Sequence, residues 1–69
     1  MSRLELLGQN IRKYRKKPKL TQRDLAVALD CTYKFISHIE RGQMSISLKK
    51  LFLIADILKI KMSDLFNFD

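Results

Sequence analysis

Leu20-Thr21-Gln22-Arg23-Asp24-Leu25-Ala26-Val27-Ala28-Leu29-Asp30, followed at once by Cys31-Thr32-Tyr33-Lys34-Phe35-Ile36-Ser37-His38-Ile39-Glu40-Arg41-Gly42, decides the fold. Thr21 precedes an apolar-periodic run and Asp24 stands three residues later. That spacing gives a helix N-cap with an acidic partner at its third position. Leu25, Ala28 and Leu29 supply the apolar stripe, and Ala26 is small enough to let another helix approach closely. Asp30 falls where the chain must turn, and Asp tolerates left-handed backbone better than most residues. Thr32 then caps a second helix, whose apolar face holds Ile36 and Ile39 and is extended at its start by Cys31. Arg41-Gly42 ends it, with glycine in the usual position past a helix C-terminus. The stretch reads as two short helices joined by a turn of about three residues.

The flanks are helical as well. Upstream, Leu4, Leu7, Ile11 and Tyr14 recur at helical spacing, with Ser2 as N-cap and Glu5 completing a capping box. Pro18 disfavours helical geometry at Lys17 and so ends the segment. Arg12, Lys13, Arg15, Lys16 and Lys17 crowd its last turns, where positive charge suits the helix dipole. Downstream of a polar loop, Ser47 caps a fourth helix with Leu48, Leu51, Ala55 and Leu58 on one stripe. Phe52 and Ile54 widen that stripe, so this helix is expected at the centre. Lys59-Ile60-Lys61 leads to a short last helix capped by Ser63, with Leu65 and Phe66 following. The expectation is an all-α, five-helix domain over residues 1–69, with a helix-turn-helix at about 21–41.

Composition narrows the function. Sixty-nine residues make one small domain, too small for a cleft between domains. A hydrophobic share of 46% with 30% charged residues fits a folded chain. Cys31 is the lone cysteine and His38 the lone histidine, so neither an internal disulfide nor a metal ligand set is expected. No apolar run approaches the ~20 residues of a membrane span, and Met1–Leu7 does not read as a signal peptide. A cytoplasmic protein without cofactor, membrane partner or small-molecule ligand is expected. Paired catalytic carboxylates, a Gly-rich phosphate loop and a metal motif are missing, so no enzyme is expected. The net charge is +7. Residues 1–41 carry 10 basic and 4 acidic side chains, and residues 42–69 carry 4 and 3. A basic half on so small a domain points to a polyanion, most often nucleic acid.

Leu20-Thr21-Gln22, Leu25-Ala26, Ile36-Ser37, Ile39-Glu40-Arg41-Gly42, Ser47-Leu48, Leu51, Ile54-Ala55, Leu58 and Ser63-Asp64-Leu65-Phe66 together resemble the phage-repressor type of helix-turn-helix protein. The likeness runs from about Gly8 to Phe66. It implies a five-helix DNA-binding domain that binds operators as a dimer. A narrower likeness is to the small controller proteins of restriction–modification systems. It is carried by Phe35-Ile36-Ser37 with Ile39-Glu40-Arg41-Gly42, and by Ser45-Ile46-Ser47-Leu48. The chain departs from such controllers at Tyr33-Lys34, where they often have Arg-Thr. The same short pattern occurs in repressors of mobile elements, which stays open beside it, as does an antitoxin-like module that also binds a partner protein. Two turn positions depart from the wider family, with Asp30 and Lys19 standing where glycine is common.

From these readings follow the candidate residues. The resemblance implies that Gln22 hydrogen-bonds a DNA phosphate and braces the recognition helix, and that Arg15 pairs with Glu40. Tyr33, Lys34, Ser37 and His38 sit at the start and outward positions of the third helix, which a major groove admits. Lys34 can donate to guanine, Tyr33 can pack on a thymine methyl or bond a phosphate, and Ser37 can donate or accept. His38 reads a base or phosphate, or is simply a solvated helix residue. Phe35 packs in the core or against DNA. Gln43, Ser45 and Lys49, with Lys50 beside it, either hold phosphate near the start of helix four or are plain solvated side chains. Ile60, Met62, Phe66 and Phe68 lie in the last helix and tail, about residues 59–69. Helices one to four already supply a core, so these four are expected at a homodimer interface, with Leu65 inward.

Overall fold

Ser2 caps the first helix: its hydroxyl accepts from the Glu5 N–H at 3.1 Å, and the Glu5 carboxylate accepts from the Ser2 N–H at 3.0 Å. The same reciprocal box joins Thr21 and Asp24, at 3.0 and 2.9 Å. Thr32 and Ser47 accept from Phe35 and Lys50 N–H groups in turn. The structure, a computed structural model that describes residues 1–68, therefore runs α1 (Arg3–Lys16), α2 (Gln22–Ala28), α3 (Tyr33–Glu40), α4 (Leu48–Leu58) and α5 (Met62–Leu65). No strand occurs among the described residues.

The helix ends share one solution. A residue in left-handed backbone follows each of α1 to α4: Lys19 (φ 64°), Asp30 (55°), Gly42 (72°) and Lys59 (57°). The next residue along, Leu20, Cys31, Gln43 or Ile60, donates its N–H to a carbonyl five positions back, at 2.9–3.2 Å. This closure satisfies carbonyls that the helix itself leaves without partners. Only one of the four positions is a glycine.

Each helix contributes one fully buried side chain: Ile11, Leu25, Ile36, Ile54 and Leu65. Leu7, Leu29, Ile39, Leu51 and Leu58 complete the core with Ala26 and Ala55. Helix α4 supplies the largest share of these residues, yet the most extensive helix pairing is α1 with α3. Gly8 makes that pairing possible. A methyl group at Gly8 would stand 2.6 Å from the Glu40 carbonyl oxygen and collide with that of Ile39.

Several expectations from periodicity need correction. Ala28 is exposed and Ala26 takes the buried place in α2, because α3 and α4 cover the face that carries Leu25, Ala26 and Leu29 and leave Ala28 at its edge. Leu4, Leu48 and Phe52 are exposed at 40%, 59% and 51%, since five short helices cover only part of each stripe. Ser63 does not cap α5. The helix starts at Met62, and the Asp64 carboxylate accepts from the Lys61 N–H at 2.9 Å. No helix among the described residues is long and apolar enough to cross a membrane.

Candidate nucleic-acid interface

The outward face of α3 is set by a buried ionic brace. Arg15, near the end of α1, donates from Nε to Glu40 Oε2 at 2.6 Å and from Nη2 to Oε1 at 3.0 Å. Its third nitrogen, Nη1, donates to the Leu20 carbonyl at 2.7 Å. Gln22 Nε2 adds a bond to Glu40 Oε1 at 3.1 Å. Arg15 and Glu40 are only 6% and 5% exposed, and no buried side-chain polar atom among the described residues lacks a partner. A planar fork meeting a carboxylate on two bonds fixes orientation as well as distance. The brace thus locks α1, the α1–α2 turn, α2 and the end of α3 into one frame. Gln22 uses one of its two amide N–H donors inside that frame.

On the solvent side of α3, Tyr33 and Lys34 are exposed at its first turn, and Ser37 and His38 are half-buried one turn later. The Ser37 hydroxyl accepts from Arg41 Nη2 at 2.8 Å, so Arg41 lies along the same face. Phe35 turns away from it: half-buried, it packs against the core, and the Lys50 ammonium lies 5.4 Å from its ring centroid. Gln43, Ser45 and Lys49 are exposed on the loop and the start of α4.

Three cations on this side were not among the candidate contact residues. Arg23, on α2, stacks its guanidinium 4.4 Å from the Tyr33 ring centroid. Arg12 and Arg41 line a small hollow with Gln22, Ser37 and Glu40. The i, i+4 spacing of Ser37 and Arg41 on one helix was the available signal for Arg41.

Two ionisable groups near the interface are shifted. The Thr21 backbone N–H, with its hydroxyl second, holds the Asp24 carboxyl below its ordinary value. Burial pushes the Cys31 thiol up, against a smaller opposing pull from Lys50, so it stays protonated at neutral pH. No group of three or more His, Cys, Asp or Glu side chains gathers among the described residues.

The last helix and tail divide. Leu65 is fully buried. Phe66 is 46% exposed, whereas Ile60, Met62 and Phe68 are half-buried and packed partly against the core. The Phe66 and Phe68 rings lie 6.2 Å apart, and Asn10 Nδ2 on α1 donates to the Leu65 and Asn67 carbonyls at 2.8 and 3.0 Å. Leu4, Phe52 and Leu53 add further exposed apolar surface elsewhere.

Residues 11–65 match the sequence pattern of a helix-turn-helix family. No curated protein sequence matches the chain significantly. Among solved structures, the restriction–modification controller protein C.AhdI from Aeromonas hydrophila superimposes with a TM-score of 0.85 at 32% identity, over 91% of this chain and 96% of that one. The controller protein C.Esp1396I, solved as a tetramer with its natural 35 base-pair operator, gives 0.80 at 30% identity, over 96% and 87%. The clp gene regulator ClgR from Corynebacterium glutamicum gives 0.91 at 27% identity, over 96% and 85%. With the braced α2–α3 pair, the five-helix architecture and these likenesses together, the chain belongs to the helix-turn-helix family, in its phage-repressor type.

Proposed function

We propose that the protein is a transcription regulator that binds double-stranded DNA sequence-specifically, as a dimer on a near-palindromic operator, and that it serves as the controller of a restriction–modification system. The observation that carries this is the outward face of α3, with Tyr33, Lys34 and Ser37 presented on a helix whose inner end is locked by the buried Arg15–Glu40 pair. A helix anchored at its far end, with its first turn facing solvent, suits insertion into a major groove. In this reading Tyr33, Lys34, Ser37 and His38 meet base edges, while Gln22, Gln43, Ser45 and Lys49 meet phosphates. Phe35 supports the helix from behind. Phe66, flanked by Ile60, Met62 and Phe68, centres the dimer contact. The protein acts in the cytoplasm and performs no catalysis of its own. The likeness to C.AhdI over nearly the whole of both chains favours the controller role.

Selection of bound duplexes from a random pool tests the proposal. Enriched duplexes should share two inverted half-sites whose centres lie about one helical turn, or a small multiple of it, apart. A bound pool without a common half-site would overturn it.

A further inference from the structure

Tyr33 opens α3, and its exposed ring is covered on one face by a side chain from the other helix of the pair. The Arg23 guanidinium lies 4.4 Å from the ring centroid, within the range of a cation–π stack. We infer that Arg23 is a positioning residue for base readout by Tyr33, fixing the ring's orientation before DNA arrives. The inference rests on the proposed DNA-binding function.

Three observations support it. First, among the described residues no carboxylate pairs with Arg23: the neighbouring Asp24 is engaged by the Thr21 N–H at 2.9 Å, and the ion pair found there is Arg15–Glu40. The guanidinium is therefore free to stack. Stacking uses the face of the guanidinium and not its N–H edge. Second, the stacked pair stands between two open hollows. Lys16, Lys19 and Thr21 border one, and Val27, Cys31 and Thr32 border the other. Little else therefore confines the ring, and Arg23 supplies the restraint that packing would supply elsewhere. Third, the docking geometry gives the two residues different neighbours. In a helix-turn-helix the first helix crosses the backbone and the second enters the groove. A contact from α2 to the first residue of α3 thus ties a backbone-side cation to a groove-side ring. The ring can then offer one defined edge to a thymine methyl or a base acceptor rather than several.

The distinction from a simple phosphate contact is measurable. A cation that only neutralises a phosphate weakens all duplexes alike. A cation that orients a reader changes which base is preferred. Base-preference profiles should be recorded for the parent, Arg23→Met, Arg23→Lys, Tyr33→Ala and the Arg23→Met/Tyr33→Ala double variant, each checked by thermal melting. Arg23 and Tyr33 are both exposed, so melting temperatures should stay near the parent's. Arg23→Met should relax preference by about two- to fivefold at the same base pair of each half-site that Tyr33→Ala affects, the weight of an exposed cation–π contact. The double variant should relax it no further than Tyr33→Ala alone. Arg23→Lys, which keeps the charge and loses the planar stack, should restore affinity more than preference. An Arg23→Met profile identical to the parent's, with affinity lowered evenly, overturns the inference and leaves the DNA-binding reading standing. A parent without any base preference overturns both.

Discussion

At the scale of single residues, Glu40 does the most for the least surface. It accepts two bonds from Arg15 and one from Gln22 while almost wholly buried. Removing one member of such a pair strands the other charge in a poorly solvated place. Glu40→Ala or Arg15→Ala should each lower stability by about 3–5 kcal/mol. A chain of this length has a total stability of that same order, so either variant should be largely unfolded near room temperature. The double variant Arg15→Ala/Glu40→Ala removes both charges and should lose much less than the sum of the single losses. Urea titration of the four proteins at low temperature checks this. Additive losses would show that the two residues act independently. Much of this residue scale was open to a reader of the sequence, because Ser2, Thr21, Thr32 and Ser47 announce their helices by hydroxyl and spacing alone. Arg23 was not, since its partner Tyr33 lies ten residues away and only the turn between the helices brings them together.

At the scale of helices, the turns and one close approach decide the arrangement. Lys19, Asp30 and Lys59 hold left-handed backbone that glycine would adopt without a steric penalty. The penalty for a residue with a Cβ is about 1–2 kcal/mol, and the extra freedom of unfolded glycine takes back about 0.4–1 kcal/mol. Lys59→Gly should therefore raise stability by about 0.5–1 kcal/mol, which thermal melting of so small a domain resolves easily. A lowered melting temperature would mean that the Lys59 side chain contributes more than its backbone costs. Gly8 behaves in the opposite sense. Alanine is the better helix former by about 1 kcal/mol. Its methyl group, however, would press on the backbone carbonyls of Ile39 and Glu40, which cannot swing aside as a side chain does. Gly8→Ala should cost about 1–3 kcal/mol, and a neutral result would mean that α3 can yield to the added methyl group without loss. Helix number, order and most caps are legible from periodicity, because they depend on neighbours within one turn. Which residues of a stripe are covered is not, and so Leu48 and Phe52 share the spacing of Leu51 and Leu58 yet face solvent. Gly8 lies outside every apolar pattern, and its role depends on a carbonyl more than thirty residues away.

At the scale of the whole molecule, charge is unevenly spread, with most of the excess in the first 41 residues that hold α1, α2 and α3. Each DNA phosphate neutralised on binding should contribute a slope of about −0.9 to the dependence of log K on log salt concentration. Titrations of one selected duplex at several salt concentrations should give a steep line, and a nearly flat one would exclude a phosphate-tracking interface. Exposed apolar side chains occur in both parts of the chain, among them Phe52, Leu53 and Phe66 on α4 and at the end of α5. Helix α1 touches both regions. Asn10 grips the backbone on either side of Phe66, and five residues later Arg15 grips the frame of α3. One fourteen-residue helix thus serves as the beam between the part that would meet a second copy and the part that would meet DNA. In the proposed dimer, two such beams make a caliper with little play. Inserting one base pair between half-sites moves the far half-site by about 3.4 Å and turns it by roughly a tenth of a revolution. A hinged protein would follow that shift, whereas a caliper should lose one of its two grips, and binding curves on a spacer series tell the two apart.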